Sequence, residues 1–238
     1  MKGIFYIVLI LITSVYSQNL KGQDMVVKKI AILVAMEKEC DLIKDVAKVE
    51  NVVVRQCGVG KVNAAMSCVE LIREHNPDVL LSLGCAGGNG DELTIGDVII
   101  SSEVVYHDVY CGENVLYGQV QGMPMRYKSP EWIVEKACKI GERVVPGLIA
   151  SGDWFVDSKQ KMSDILKCFP ETKAVDMESA AIAQVCYKYQ IPFVSLRIVS
   201  DLPMSKEQNL QYAEFWNTIS DKTFSVANKF VKLLITKE

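Results

Sequence analysis

The sequence predicts an α/β fold of three layers, in which a mostly parallel, mixed central sheet lies between two layers of helices. Three observations predict it. Apolar, β-rich runs alternate with segments of helical periodicity along the 238 residues. The runs are mostly apolar, which is typical of strands buried on both faces. Glycines cluster where the runs end, as in the segments CGVGKVNAA and LGCAGGNG.

The predicted elements follow one another without a linker, repeat or low-complexity tract, so residues 28–238 are expected to form a single domain. Six runs are predicted as strands: Ile30–Ala35, Val52–Gln56, Val79–Leu83, Val98–Val105, Leu148–Ala150 and Phe193–Val199. Five stretches are predicted as helices: Lys61–His75, Pro130–Gly141, Ser158–Cys168, Met177–Tyr189 and a last one from about Tyr212 to Leu234. The irregular stretch Asn114–Lys128 interrupts this alternation and is interpreted as a functional loop.

The first seventeen residues, MKGIFYIVLILITSVYS, have a composition unlike the rest of the chain. Lys2 precedes an apolar core from Ile4 to Ile12, and Val15-Tyr16-Ser17 forms a small-x-small site. This is the layout of a secretory signal peptide, with cleavage before Gln18. The apolar run is shorter than the ~20 residues that span a bilayer. We therefore expect residues 1–17 to be removed and residues 18–27 to be a linker.

A cleaved leader predicts export to the periplasm and no stable membrane association of the mature chain. The alternatives are a buried N-terminal strand, or a translation start near Met25 that would leave the protein in the cytoplasm. The formal net charge of -3 has no blocks of one sign, which argues against nucleic acid as a partner.

The composition predicts neither a metal site nor an organic cofactor. Eight cysteines are scattered singly without a CxxC pair, and neither His75 nor His107 has a Cys or His at ligand spacing. Most of the cysteines are interpreted as small buried apolar residues. Whether any of them pair in disulfides is left open.

The first strand ends in a way that raises a question about function. Its apolar run stops at Met36 and is followed by Glu37-Lys38-Glu39. In open α/β sheets ligands bind at the carboxyl ends of the strands. Glu37 and Lys38 are interpreted as solvated charges of a first helical turn. Glu39 is either a third such charge or a working group.

Carboxylates and aromatic rings follow other strands in the same way. Glu178 lies at the start of an Ala-rich helix and Asp201 ends the last strand, while Trp154, Phe155 and Tyr212 are the aromatic residues near these positions. Neither glycine-rich segment matches a P-loop or GxGxxG. Converging carboxylates with an aromatic floor suit a neutral, hydroxyl-rich ligand with a flat ring, such as a nucleoside.

Six segments in order resemble one known family. VAMEKE, GVGKVNAA, GCAGG, SGDWFV, AVDMESAAIA and RIVSD are similar to the motifs of 5'-methylthioadenosine/S-adenosylhomocysteine nucleosidases, within the nucleoside phosphorylase superfamily. The resemblance covers roughly residues 28–235. It implies a nucleoside phosphorylase/hydrolase-like fold, a homodimer without cofactors, and hydrolysis of methylthioadenosine and S-adenosylhomocysteine to adenine and the thioribose.

The resemblance also implies a role for each matching residue. Glu39 would activate the attacking water, and Asp201, oriented by Ser200, would protonate or hydrogen-bond N7 of adenine. This division of labour is the two-carboxylate logic of inverting glycosidases. The remaining residues expected to contact substrate are Met36, Val59, Cys85, Ala86, Gly87, Phe155, Val156, Met177, Glu178 and Tyr212, together with Tyr117 in a loop expected to reach the pocket of the neighbouring subunit.

Other residues near these motifs receive structural interpretations. Asp176 and Asp153 are interpreted as structural, and Arg197 as a member of an internal ion pair. Cys85 departs from the family, which commonly has Ser there, so its role is open between a small buried residue and a reactive thiol.

Three other functions remain as alternatives. Phosphorolysis is disfavoured because phosphorylases of the superfamily have Arg where this chain has Ser82, and they lack an equivalent of Glu39. A futalosine-type or other purine nucleosidase and a non-catalytic nucleoside-binding protein are the other two.

Overall fold

The computed structural model describes residues 27–90, 93–140, 143–218 and 221–235. The predicted leader, and all but the last residue of the predicted linker, lie outside the described residues. Among the described residues no helix is both long enough and apolar enough to cross a membrane.

The described residues form eight strands, seven α-helices and one short 3₁₀ helix. The strands are β1 (Ile30–Val34), β2 (Val52–Gln56), β3 (Val79–Gly88), β4 (Val98–Tyr106), β5 (Arg126–Lys128), β6 (Val144–Ser151), β7 (Thr172–Asp176) and β8 (Phe193–Asp201). The helices are α1 (Glu37–Leu42), α2 (Lys61–His75), α3 (Glu131–Cys138), α4 (Lys159–Cys168), α5 (Ser179–Tyr189), α6 (Gln208–Thr218) and α7 (Asp221–Ile235). The 3₁₀ helix is Val46–Lys48.

The sheet is mixed and mostly parallel, and part of it closes on itself. β2, β1, β3 and β8 follow one another as parallel neighbours. β8 then pairs antiparallel with β4, which is parallel to β6, and β6 is parallel to β7. β7 returns to an antiparallel pairing with β3 at Gly87 and Gly88. β5 pairs antiparallel with β4.

Helices cover both faces of the sheet, as the apolar character of the strands predicts. All five residues of β1 are buried. Ile30, Ile32 and Val34 pack in one apolar cluster with residues of α7 such as Phe224 and Phe230. The alternate residues of β1 pack in a second cluster with residues of α2 and α5. Burying each such aliphatic or aromatic side chain stabilises the fold by about 1.5–3 kcal/mol.

The three-layer α/β prediction is confirmed, and all six predicted strands are present. Two strands have no counterpart in the prediction: β5 has only three residues, and β7, with the sequence TKAVD, begins with two polar residues. Where a single helix is predicted from about Tyr212 to Leu234, the described residues form α6, which begins earlier at Gln208, and α7; residues 219–220 between them lie outside the described residues.

The interpretation of most cysteines as buried is also wrong. Cys57, Cys68 and Cys186 are buried, whereas Cys40 and Cys85 are intermediate. The remaining three, Cys111, Cys138 and Cys168, are exposed. Cys138 and Cys168 are the last residues of α3 and α4, where a helix end leaves the core for solvent.

Candidate active site

Glu39 turns into the interior although it belongs to the first turn of a short helix. Its side chain is 2% exposed, whereas Glu37 in the same turn is exposed. Oε2 accepts hydrogen bonds from the backbone N–H groups of Ala35 at 3.0 Å and Met36 at 2.9 Å. Oε1 accepts from the N–H of Cys85 at 2.9 Å. The strand therefore ends in one solvated carboxylate and one buried carboxylate held by three backbone donors.

Space for the Glu39 carboxylate depends on a glycine in β3. A Cβ atom at Gly84 would lie 2.5 Å from Glu39 Oε1. Burial raises the pKa of Glu39 above its ordinary value, and the positive charge of Arg197 and the three N–H donors oppose that rise.

Asp201 ends β8 and is held by two side-chain donors. It is 3% exposed. The hydroxyl of Ser200 donates to Oδ1 at 2.6 Å, and Nε2 of Gln208 donates to Oδ2 at 2.6 Å. Burial raises the pKa of Asp201, while the hydrogen bonds from Ser200 and Gln208 lower it. Asp201 is therefore easier to protonate than an ordinary carboxylate.

Arg197 forms the buried ion pair that the sequence predicts. Its Nε lies 2.8 Å from Asp176 Oδ2, and one guanidinium N–H donates to the hydroxyl of Ser82 at 2.7 Å. Its Nη2 lies 4.0 Å from Glu178 Oε2. Glu178 also accepts from the N–H of Gly60 at 2.9 Å. Burial and the neighbouring Asp176 nevertheless raise the pKa of Glu178 to about 7.

Asp153 fixes the loop that leads into α2, in agreement with its structural interpretation. Its Oδ1 accepts from the backbone N–H of Lys61 at 2.8 Å. Its own backbone N–H donates to Asp108 Oδ2 at 2.8 Å, and the ammonium of Lys61 also reaches this Asp108 oxygen at 2.7 Å. These bonds join the end of β6 to the start of α2 at the rim of the site.

A cavity of about 130 Å³ joins these groups. Thirteen of the fourteen predicted site residues line it: Met36, Glu39, Val59, Cys85, Ala86, Gly87, Phe155, Val156, Met177, Glu178, Ser200, Asp201 and Tyr212. The ring centroids of Phe155 and Tyr212 are 5.5 Å apart with an interplanar angle of 68°, so the two rings meet edge to face. The cavity thus combines carboxylates with an aromatic wall.

Tyr117 is the predicted site residue that lies outside this cavity. Its hydroxyl donates to the backbone carbonyl of His107 at 2.7 Å, and its ring lies 6.2 Å from that of Phe169. The role predicted for Tyr117 concerns the pocket of a neighbouring subunit, so it stays a prediction.

Sequence reasoning assigned no substrate contact to four residues that line the cavity, and it missed one residue that supports the cavity from behind. Ala35, Trp154, Val175 and Asp176 line the cavity beside predicted residues. The sequence analysis names Trp154 as an aromatic residue near the site, and adjacency in the chain was the signal that could have found the other three. Gln208 contacts Asp201 without belonging to any of the six motifs. A glutamine near the start of a helix is ordinarily solvated, so no signal in the sequence singled it out.

The cavity contains no arrangement that points to a metal ion. Among the described residues no group of three or more His, Cys, Asp or Glu side chains could hold one.

The burial of Cys85 raises the pKa of its thiol well above the ordinary value, which favours the neutral form.

The sequence model of a family described as the phosphorylase superfamily matches residues 46–232 of this chain. A 5'-methylthioadenosine/S-adenosylhomocysteine nucleosidase of Geobacillus sp. is 38% identical over 230 residues, covering 87% of this chain and 99% of that protein. The chain therefore belongs to the 5'-methylthioadenosine/S-adenosylhomocysteine nucleosidases of that superfamily.

Solved structures agree with this membership. The nucleosidase of Neisseria meningitidis, crystallised with methylthio-immucillin-A, has a TM-score of 0.78 and 35% identity, covering 87% of this chain and 98% of that one. The futalosine hydrolase of Helicobacter pylori has a TM-score of 0.78 at 27% identity, covering 88% of this chain and 97% of that one.

Proposed function

We propose that this protein hydrolyses the N-glycosidic bond of methylthioadenosine and S-adenosylhomocysteine, releasing adenine and the thioribose. The observation that carries the proposal is that two buried carboxylates, Glu39 and Asp201, line one cavity of a chain that belongs to the nucleosidase family. Cleavage passes through an oxocarbenium-like state, so one group must prepare the water and another must neutralise the departing base.

Glu39 is the proposed general base. Its raised pKa brings it closer to neutral pH, where a base is most effective. Each carboxylate oxygen can accept about two hydrogen bonds. Oε2 already accepts from Ala35 and Met36, whereas Oε1 accepts only from Cys85. Oε1 is therefore the atom with acceptor capacity left for the attacking water.

Asp201 is the proposed proton donor to N7 of adenine. Its pKa is raised by burial, which makes the protonated form accessible when the base arrives. The aromatic rings of Phe155 and Tyr212 would hold the flat base, with the backbone of Phe155 and Val156 at its edge. Met177 would lie under the ribose, and Glu178 would accept hydrogen bonds from its hydroxyls.

Five further residues of the cavity are proposed to complete the substrate contacts. Met36 and Val59 would line the pocket for the 5' substituent, while Cys85, Ala86 and Gly87 of β3 would contact the nucleoside. Ser200 would act by holding Asp201, since its hydroxyl donates to Oδ1.

Water is the proposed nucleophile in place of phosphate. Among the described residues that line the cavity there is neither Lys nor Arg. Arg197 instead donates to Asp176 and Ser82 behind the cavity wall. A phosphate dianion would therefore lack the charged, bidentate partner that usually holds it.

The test is base release by the purified chain, measured with and without inorganic phosphate. We expect adenine from methylthioadenosine and S-adenosylhomocysteine at the same rate in both conditions, with free thioribose as the second product. Phosphate-dependent formation of a ribose 1-phosphate would contradict hydrolysis. Futalosine belongs in the same panel, because the similarity to the H. pylori enzyme makes it the second candidate substrate.

We also propose that the protein is a homodimer in which Tyr117 approaches the partner's cavity. Exposed apolar side chains on two segments support this: Val62 and Met66 on α2 are 69% and 59% exposed, and Tyr110 and Leu116 are 64% and 61% exposed. Light scattering should give twice the mass of the purified chain, which is 26.5 kDa when all 238 residues are present. Met66→Glu should shift the mass toward the monomer, and a monomeric parent protein would refute the proposal.

A further inference from the structure

The side chain of Gln208 bridges two groups of the candidate active site. Gln208 is the first residue of α6 and is 4% exposed. Its Nε2 lies 2.6 Å from Asp201 Oδ2 and 2.6 Å from the backbone carbonyl oxygen of Val156. A primary amide has two N–H donors on one nitrogen, so each acceptor can receive one of them. Because the carbonyl oxygen of Val156 can only accept, the nitrogen and not the oxygen of the amide must face it.

Stability alone does not explain a glutamine at this position. Its Oε1 is buried and has no hydrogen-bond partner among the described residues. A buried acceptor without a partner destabilises the folded state. Nε2 of Gln208 thus makes two short hydrogen bonds, while Oε1 of the same side chain is buried without a donor. A residue that keeps such an arrangement is a candidate for a role in function.

The bridge connects the two groups that are proposed to contact the edge of the leaving base. Asp201 is the proposed donor to N7, and the backbone of Val156 is proposed to meet the adenine edge. Because one nitrogen lies 2.6 Å from each, the Asp201 and Val156 oxygens are within about 5 Å of each other. The bridge is a polar link between the loop after β6 and the end of β8.

We propose that Gln208 is a positioning residue for the cleavage reaction. It holds the Asp201 carboxyl and the Val156 carbonyl at a fixed distance from each other, so that both contact the same base. This inference rests on the proposed function and adds a residue to it. Gln208 does not line the cavity, so it acts through Asp201 and Val156 rather than on the substrate. It also links the site to α6, the helix that carries Tyr212.

The surroundings of Asp201 make its protonation sensitive to this bridge. The titratable groups that face it from the packed elements are the Cys85 thiol on β3 and the Tyr212 phenol on α6. The pKa of each is raised by burial, so both are neutral near pH 7. Glu39 and Arg197 are charged groups within electrostatic reach of Cys85. The donors that hold the Asp201 carboxylate are Ser200 and Gln208.

The first experiment compares Gln208→Leu with Asn209→Leu. The control exchanges the amide of the next residue, which is exposed, for the same side chain. We expect Gln208→Leu to lower kcat for adenine release by about 10- to 100-fold with a smaller change in KM, because a displaced catalytic group can cost about 10²-fold. The limb of the pH–rate profile that belongs to Asp201 should move to higher pH. Asn209→Leu should retain the parent kinetics.

A double-mutant cycle separates positioning from a general structural effect. If Gln208 acts through Asp201, its substitution in an Asp201→Asn background should lower the residual rate less than about twofold, because coupled residues are not additive. An equal fold-loss in both backgrounds would overturn the proposal. Urea unfolding of each variant shows whether the folded protein is being compared.

A second variant keeps the proposal testable if Gln208→Leu does not fold. Gln208→Glu preserves size, and only its protonated form can donate a hydrogen bond to either acceptor. Its activity relative to the parent should rise as the pH is lowered, whereas a constant ratio would overturn the proposal. If Gln208→Leu matches Asn209→Leu while the parent releases adenine, the positioning role is refuted and the proposed function stands. If the parent releases no base, both fail.

Discussion

Replacing Glu39 by Gln tests the central step of the proposed reaction. The carboxylate accepts three backbone N–H groups, two on Oε2 and one on Oε1. A glutamine can place its oxygen at the Oε2 position and keep two of these bonds, and its NH₂ group then faces the N–H of Cys85. One unpaired buried donor costs about 1–3 kcal/mol. The variant should therefore stay folded, with a free energy of unfolding lowered by no more than about 3 kcal/mol.

The effect of Glu39→Gln on the reaction should be larger than its effect on the fold. Loss of a general base lowers the rate by about 10²–10⁴-fold, which corresponds to roughly 3–5 kcal/mol of activation free energy at 1.36 kcal/mol per tenfold. KM should change little, because the aromatic and ribose contacts of the cavity remain. Adenine release from methylthioadenosine is the assay, and urea unfolding reports the stability.

Glu37→Gln is the matched control, since Glu37 is exposed in the same helical turn. It should retain the activity of the parent. Parent-like turnover by Glu39→Gln, or an equal loss in both variants, would refute the assignment of Glu39 as the base. Absence of turnover in the parent itself would indicate a binding protein in place of an enzyme.

Four further predictions concern the support of the site and the leader. Gly84→Ala should lower adenine release by about 10²-fold and the free energy of unfolding in urea by about 1–3 kcal/mol, because the new Cβ, 2.5 Å from Glu39 Oε1, displaces that oxygen from the Cys85 N–H. Arg197→Met should lower the free energy of unfolding in urea by about 3–5 kcal/mol, because Asp176 is left buried without its charge partner; a loss below 1 kcal/mol would contradict this. Folding raises the pKa of Glu178 from 4.5 to about 7. Between these two pH values the folded state binds more protons than the unfolded state, so the free energy of unfolding should fall as the pH rises. The expected fall is about 3 kcal/mol at 1.36 kcal/mol per pKa unit. Urea titrations at several pH values should show that slope in the parent and a flatter one in Glu178→Gln. Protein recovered from its native host should begin at Gln18, and N-terminal sequencing that finds Met1 would refute leader cleavage.

The elements that the sequence predicts are those whose patterns are local. β1 is a continuous apolar run, and β3 and β8 are mostly apolar at their starts; all three lie in the middle of this sheet, where both faces are covered. β5 has only three residues, whose side chains are intermediate, buried and exposed in turn. A strand this short gives no recognisable hydrophobic periodicity. β7 reads TKAVD, and its first two residues are polar although Thr172 is buried, because its hydroxyl donates to the Phe169 carbonyl.

The candidate site divides in the same way. Residues in ordered motifs, such as Glu39 and Asp201, could be named from the sequence because each motif carries its own context. Gln208 could not, since its contacts to Asp201 and Val156 join residues 7 and 52 positions away. The burial of Glu39 beside the exposed Glu37 also depends on β3, which supplies both the Cys85 N–H and the gap at Gly84. Long-range contacts of this kind leave no periodic signal in the chain.

The two glycines that end β3 explain how residues distant in sequence come to share one cavity. Gly87 pairs with Val175 of β7 and is also in register with Asp201 of β8. A Cβ at Gly88 would lie 2.7 Å from Val199, and one at Gly87 would lie 2.9 Å from Pro203. Side chains here would therefore push apart the strands that deliver the carboxylates.

The pairing of β3 with β7 is only two residues long, and the cavity lies beside it. Cys85 and Ala86 on β3 and Asp176 on β7 all line the space between them. The pairing of β3 with β7 at Gly87 and Gly88 therefore also fixes the position of the adjacent cavity. It brings Glu178, which comes after β7, to the same cavity as the carboxylates of β8 and α1. The GCAGG segment therefore acts by its lack of side chains, and a larger residue at Gly88 should disturb the three carboxylates together.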